Sequence, residues 1–409
     1  MFNRRTTTIL LLLLTPCVGL AEDWPGWRGP RRNGLSGAAN VPTTWSAKKN
    51  IKWRAKLPGS GISSPIVLGD LIFVTASDGP KQSELHLICL DRNTGKRQWH
   101  RRFWGTAPTR YHGSKSSMAS PTPITDGKYV YAFYGTGDVF CVNFKGEMQW
   151  SRSLASEYGR FENRFSATSS PLLLGNQLIL QCDHYGDSYV VSIDKRTGVN
   201  QWKKDRPTHW LSWSSPVLIK NDSGQSELIV AGSQRLDGMD PKTGELLWFV
   251  GGMRRECIPT PVVVGRLIYA ASGPKGPSMA IRPGGSGDVS NSHVLWRNTR
   301  GAPFVPSAIV AGNQYFLVDD SGVATCLNLK TGKRIWQKRL PGRYTASPVA
   351  AAGRVYFCNE RGETVVIQAG TAKYKQLARN PIGEPIYASP IIAHENFYIR
   401  TPRALVCVE

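Results

Sequence analysis

One short text returns eight times along the chain, at intervals of roughly 40 to 56 residues. It reads Ser-Pro, an apolar run, a Gly-centred turn and a second apolar run. The starts are Ser64-Pro65, Ser120-Pro121, Ser170-Pro171, Ser215-Pro216, Thr260-Pro261, Ser307-Ala308, Ser347-Pro348 and Ser389-Pro390. A fixed period of this size signals stacked supersecondary units, because a unit this small buries its faces only against its neighbours.

Within the sixth unit the elements are separable. Ala308 to Val310 and Tyr315 to Val318 are apolar runs around the Gly312-Asn313 turn. Val323 to Leu327 follows the turn Asp319 to Gly322, and Lys333 to Gln337, carrying Trp336, follows the turn Asn328 to Gly332. Runs of β-forming residues bounded by turn residues predict a four-stranded antiparallel meander. The third turn is the most regular part. Asp91…Gly95…Trp99, Asp194…Gly198…Trp202, Asp240…Gly244…Trp248 and Asn328…Gly332…Trp336 share one spacing, and Asn143…Gly146…Trp150 is one residue shorter. A large ring at one strand position in every unit is expected to fill the gap between adjacent sheets. The fifth unit keeps Trp296 but replaces its turn by Arg282 to Asp288. The seventh has Gln368-Ala369-Gly370 and Tyr374 where Trp is expected. Both are expected to keep their strands and to lose ring packing or lengthen a loop.

The two ends complete each other. The eighth unit stops at Cys407-Val408-Glu409, where its third turn is due, and so lacks a fourth strand. Near the start, Ile51 to Gly59 with Trp53 matches Ile335 to Gly342 with Trp336, and it precedes Ser64-Pro65 as a fourth strand does. The N-terminal strand is therefore expected to finish the last sheet and close a ring, which also removes exposed sheet edges. The fold class is all-β: an eight-bladed β-propeller of four-stranded antiparallel blades. Residues 1–21 read as a signal peptide, 22–45 as an N-terminal extension and 46–409 as the propeller.

The signal-peptide reading rests on Arg4 and Arg5, the apolar run from Ile9 to Leu14, and Gly19-Leu20-Ala21 before Glu22. That run is too short to span a bilayer, and no later segment could cross one. Cys17 resembles a lipoprotein site only faintly, since Pro16 fits that pattern badly. The location expected is the periplasm or cell envelope, with outer-membrane association left open. The formal charge is +22, or +20 without Arg4 and Arg5. Such a surface suits anionic glycans or lipid headgroups. It is equally read as a soluble basic surface, and no nucleic-acid motif appears. Cys89, Cys141, Cys326 and Cys407 occupy equivalent sites in different units. They are therefore expected to lie too far apart for disulfides and to act as small buried residues.

The text Cys89-Leu90-Asp91-Arg92-Asn93-Thr94-Gly95-Lys96-Arg97-Gln98-Trp99 resembles the tryptophan-docking repeat of quinoprotein propellers. The wider pattern, over roughly residues 45 to 409, is similar to the pyrroloquinoline-quinone-like repeat family, including exported propellers like the outer-membrane assembly factor BamB. Asp23-Trp24-Pro25-Gly26-Trp27-Arg28-Gly29-Pro30 also resembles the mature N-terminus of exported propellers of this family. One branch implies a dehydrogenase with the quinone and calcium. This chain departs from it in lacking a Cys-Cys pair, long added loops and a visible calcium set beside a base. The other branch implies a binding scaffold without chemistry.

In such a ring the segments entering the innermost strands are expected at one mouth of the axial channel. They carry Arg110, Tyr111, His112 and Lys115, then Arg160, Phe161 and Arg164, then His209, Trp210 and Trp213. Later units add Arg254, Arg255, Phe304, Arg343, Tyr344 and Tyr387. Arginines clamp carboxylate or phosphate, and flat rings stack on peptide, sugar or a planar cofactor. The same residues could instead plug the channel and solvate its rim, and the sequence leaves both readings open. Trp53, Trp99, Trp150, Trp202, Trp248, Trp296 and Trp336 are expected to be structural. Asp183, His184 and Asp187 form a weak metal candidate, better read as a solvated loop. The loop Gly284 to Gly287 lacks the Lys-Ser/Thr of a phosphate loop. No nucleophile or metallohydrolase motif occurs. The function expected is a non-catalytic exported scaffold that binds an envelope protein, peptide or anionic polymer. The alternatives are a quinoprotein-like oxidoreductase and a glycan-binding propeller.

Overall fold

The computed structural model describes residues 22–409; the signal-peptide reading and Cys17 lie outside them. Eight antiparallel sheets form the ring. Numbered from the first Ser-Pro, blade 1 runs Ile66–Leu68, Leu71–Asp78, Glu84–Asp91 and Arg97–Trp104, from the axis outward. Blade 8 is closed as the ends predicted: Ile51–Lys56 pairs antiparallel with Ala404–Val408, and Trp53 sits opposite Cys407. Blade 4 departs from the four-stranded pattern. The glycine-rich insertion of the fifth unit sends Gly287–Asp288 back to pair in parallel with Leu246–Gly251, so that blade has five strands.

The regular tryptophans are explained by the next blade. The indole N–H of Trp53 donates to the Arg92 carbonyl (2.9 Å), that of Trp99 to Phe144 (2.7 Å) and that of Trp150 to Lys195 (3.0 Å). Trp202 donates to Pro241 (3.1 Å) and Trp296 to Leu329 (3.0 Å). Each ring thus caps the third turn of the following blade. It lies so close to that turn's glycine that a Cβ on Gly95 would be 2.6 Å from Trp53 and one on Gly244 2.5 Å from Trp202. These glycines also have positive φ, so the position excludes side chains twice over. The irregular units follow. Blade 5 has lost its glycine turn, and it is the Trp of blade 4 that is redirected: Trp248 donates to Glu227 of its own sheet (2.9 Å). Blade 7 has also lost the turn, and Trp336 meets Tyr374 edge-on with no partner for its N–H. The consequence of an altered turn falls on the preceding ring, not on the unit's own.

Opposite each ring on the third strand stands a small residue: Cys89, Cys141, Cys326 and Cys407 in four blades, Ser192, Gly238 and Ala280 in three others. All seven described cysteines are free and buried. Burial pushes the thiols of Cys89, Cys141, Cys326 and Cys407 up to about 12, so they pack as small apolar groups.

The hydroxyls that open the repeat form a belt around the axis. The backbone N–H of Ser64 donates to Thr122 Oγ1 (3.0 Å), Thr122 to Ser170 Oγ (3.0 Å), Ser170 to Ser215 Oγ (2.9 Å) and Ser215 to Thr260 Oγ1 (3.3 Å). Thr260 continues to Ser307 (3.0 Å), Ser307 to Ser347 (2.9 Å) and Ser347 to Ser389 (2.9 Å); Ser64 Oγ then donates to the Ser389 carbonyl (2.8 Å). The belt corrects one start read from the sequence. Thr122-Pro123, not Ser120-Pro121, is the equivalent pair in blade 2, two residues before its inner strand Ile124–Thr125. Ser120 Oγ instead closes a local turn with Ser117.

Candidate functional site: a blind aromatic funnel on the axis

Strand alternation sorts the loops onto two faces. The segments entering the inner strands share one face with the turns between second and third strands. The remaining turns lie on the opposite face, and there the N-terminal segment closes the channel. Trp24 pairs with Val67 of blade 1 through both backbone groups (2.8 and 2.9 Å). The buried Arg28 guanidinium donates to the carbonyls of Pro348 (2.7 Å), Asn33 (2.9 Å) and Ala308 (2.5 Å), and Arg32 reaches Leu173 (2.6 Å). The backbone of Ser36 pairs with Ala350 (2.9 Å), and His394 Nε2 meets Asp23 (2.8 Å). Burial lowers the Arg28 pKa to about 9, still cationic at neutral pH. Trp27 turns toward the axis, donates to Thr260 Oγ1 (3.0 Å), and forms the floor of a cavity of about 520 Å³.

Above that floor the wall is aromatic and hydroxylic. Phe165, Trp213, Phe304 and Tyr387 line it, with the belt residues Ser170, Ser215, Ser307, Ser347 and Ser389 below them. The mouth carries both signs of charge. Lys115 reaches from the connection between blades 1 and 2 to Glu360 of blade 7 (2.7 Å), and Thr345 also donates to Glu360 (2.8 Å). His112, in the same connection, meets Phe165 edge-on with ring centres 6.0 Å apart. This connection is a strap over part of the opening. Lys275 and Arg343 are exposed there with no carboxylate within ion-pair distance. Burial raises the Asp320 carboxyl, although it accepts from the N–H groups of Phe304 (2.8 Å) and Val305 (3.3 Å).

The structure brings together six of the sixteen residues named for the mouth: His112, Lys115, Trp213, Phe304, Arg343 and Tyr387 line the cavity. Arg110, Tyr111, Arg160 and Arg164 are exposed on the same connections but outside it. Trp210 is exposed and carries Arg255 over its ring (5.2 Å), and Arg254 is exposed beside them. Three residues belong elsewhere. Phe161 is buried in the core between blades 2 and 3. Tyr344 is fully buried in the core between blades 6 and 7. His209 is buried between blades 3 and 4, with Nε2 3.0 Å from Asp237, in a network where Arg206 also pairs with Asp183 (2.9 Å) and Asp237 (3.3 Å). Of Asp183, His184 and Asp187, named as a weak metal candidate in a solvated loop, Asp183 and His184 are buried in that region and only Asp187 is exposed; no metal-binding group of three or more His, Cys, Asp or Glu exists among the described residues.

Sequence reasoning missed Trp27, Phe165, Lys275, Asp319, Asp320 and Glu360. Asp319, Asp320, Lys275 and Glu360 sit on second turns, which strand alternation places at the same mouth as the entering segments. Applying that alternation to the predicted meander would have found them. Trp27 lay in the quoted Trp24 to Pro30 text, but nothing local says that this segment crosses the axis.

Known proteins resemble this architecture. The family described as "Outer membrane protein assembly factor BamB" matches residues 40–248, 158–338 and 288–408, and the chain belongs to it. The BamB of Burkholderia pseudomallei is 22% identical over 89% of this chain and 90% of its own length. Alignments to relatives of that description span from 49% to 90% of the relative. Among solved structures, BamB from Moraxella catarrhalis superposes with a TM-score of 0.61 at 13% identity, covering 87% of this chain and 98% of that one. The quinohemoprotein alcohol dehydrogenase of Comamonas testosteroni gives 0.68 at 12% identity, covering 94% and 80%. At such identities these structures establish the shared fold.

Proposed function

We propose that this BamB-family propeller is an exported scaffold without chemistry of its own, and that it holds an envelope protein or peptide at the mouth of its funnel. The observation carrying this reading is the blind cavity. Its floor and wall are rings and hydroxyls, and its rim offers Lys275 and Arg343 as donors without a carboxylate partner. Rings supply contact area, and arginine or lysine at the rim orients a carboxylate or a backbone carbonyl. The volume suits one or two side chains of a partner, anchored at the axis while the rim loops contact the rest.

A calcium-bound quinone fits these residues poorly. Of the three carboxylates at the mouth, Glu360 is held by Lys115 and Thr345, and Asp319 Oδ1 already accepts from Ser321 N (2.9 Å), Ser321 Oγ (2.8 Å) and Val323 N (2.8 Å), closing its own turn. Asp320 is taken by Phe304 and Val305. That leaves Asp319 Oδ2, Asp320 Oδ1 and Glu360 Oε2 outside these contacts, well short of the six to eight oxygen ligands that calcium takes.

The reading is tested by capturing partners from solubilised envelope on immobilised protein, comparing the wild type with Trp213→Ala/Arg343→Glu. The expected result is one or more envelope proteins retained by the wild type and lost with the variant. Equal retention by both, or dye reduction after incubation with the quinone and calcium, contradicts it.

A further inference from the structure

The outermost strands carry a charge pattern that the mouth does not use. In blades 6, 7, 8 and 1, which are consecutive around the ring, these strands are Arg334–Arg339, Gln376–Pro381, Ile51–Lys56 and Arg97–Trp104. They hold ten Lys or Arg residues, three each in blades 6, 8 and 1 and one in blade 7, and no Asp or Glu. The fourth strands of blades 2 to 5 hold four basic residues and one acidic, Asp205, and the added edge strand of blade 4 carries Asp288. Half the perimeter is therefore a cationic arc.

All ten side chains of the arc are exposed. Four are balanced by carboxylates from neighbouring turns and strands: Lys52 by Glu409 (3.7 Å), Arg102 by Glu84 (3.6 Å), Arg379 by Glu363 (2.6 Å), and Arg54 by Glu384. The other six, Lys56, Arg97, Arg101, Arg334, Lys338 and Arg339, have no carboxylate within 4.0 Å. Arg101 and Arg339 spend donors on the carbonyls of Gly146 and Ser321, which bring no negative charge.

We propose that this arc binds a flexible linear polyanion that follows the rim. Charge selects an anion, and shape selects its form. Each blade turns the outer wall by about 45°, so four blades spread their outward directions over roughly 135°. A flat lipid surface meets one or two of these strands at once. A chain of repeating phosphates or carboxylates can bend across all four and engage the six unbalanced cations of blades 6, 8 and 1, releasing counterions as it does. The surface is separate from the funnel, and the proposal stands or falls apart from the reading of the mouth.

The test uses labelled linear polyphosphate and labelled polygalacturonate as the two possible sources of such a chain, with phosphatidylglycerol vesicles as the flat comparison. One variant reverses Lys56, Arg97, Lys338 and Arg339 to Glu. A second reverses the exposed Lys128, Lys220, Lys242 and Arg282, which lie outside the arc, so both lose the same net charge. The expected result is binding of at least one linear probe by the wild type, weakened about tenfold or more at 0.15 M salt by the arc variant and much less by the other, with a shallower salt slope. Both variants keep the wild-type melting temperature, since every position is exposed. Equal weakening by both variants, no binding of either linear probe, or tighter binding to vesicles overturns the proposal.

Discussion

At the scale of single residues, the buried cations matter most. Arg28 supplies three carbonyls from three stretches of chain with donors. Arg28→Ala leaves those carbonyls unpaired and opens the channel floor, so it should destabilise by about 3 kcal/mol in urea unfolding. Arg31→Ala, at an exposed side chain, should change stability by less than about 0.5 kcal/mol. A similar loss from both would refute the bracing role. Asp237 makes a pH prediction. Burial alone would raise its carboxyl, but the hydrogen bond from His209 and the charges of Arg206, His209 and Arg235 outweigh it and hold the pKa below the usual value. A lowered folded pKa gives stability that is complete above the unfolded value, about 3.9, and lost as pH falls through the folded one. The melting-temperature gap between wild type and Asp237→Asn should therefore stay level from pH 8 to about 5 and shrink below about 4. A gap that widens in acid would contradict the network. Neither residue could be assigned its partners from sequence. His209 read as a mouth residue because it precedes an inner strand, and only the packed sheets reveal that it turns inward to Asp237.

At the scale of the element, the repeated turn and ring form one device shared by two blades. Gly244 and Gly265 both have positive φ, 74° and 59°, but a Cβ on Gly244 strikes Trp202 while one on Gly265 meets nothing within 4 Å. Both alanine substitutions should pay the left-handed strain of about 1 kcal/mol. Gly244→Ala should cost about 1–3 kcal/mol more, by displacing the ring. Equal losses in chemical denaturation would mean that the ring is not held by the turn. This device was legible in the spacing from Asp through Gly to Trp. The direction of docking was not, because a period places the ring in its own strand and says nothing of which neighbour it touches. The Ser120 register failed for a related reason. Ser120-Pro121-Thr122-Pro123 contains the motif twice, and only the belt of hydroxyl hydrogen bonds chooses between the copies.

At the scale of the whole molecule, ring closure and blade number were readable because the missing fourth strand at one end appears, tryptophan included, at the other. The funnel was half readable. Entering segments were assigned to the mouth correctly in principle, but the second turns and the N-terminal floor come from elements far away in sequence. The acidic groups at the mouth, and hence its mixed charge, therefore went unseen. The central functional claim concerns this mouth. It is tested most directly by placing a photocrosslinking residue at Phe304 or Tyr387 and, as a comparison, at Lys220 on the opposite face, then irradiating cells that express the protein. The account predicts a discrete adduct with an envelope protein from the two mouth positions and none from Lys220. Adducts of the same kind and yield from all three positions, or none from the mouth, would contradict it.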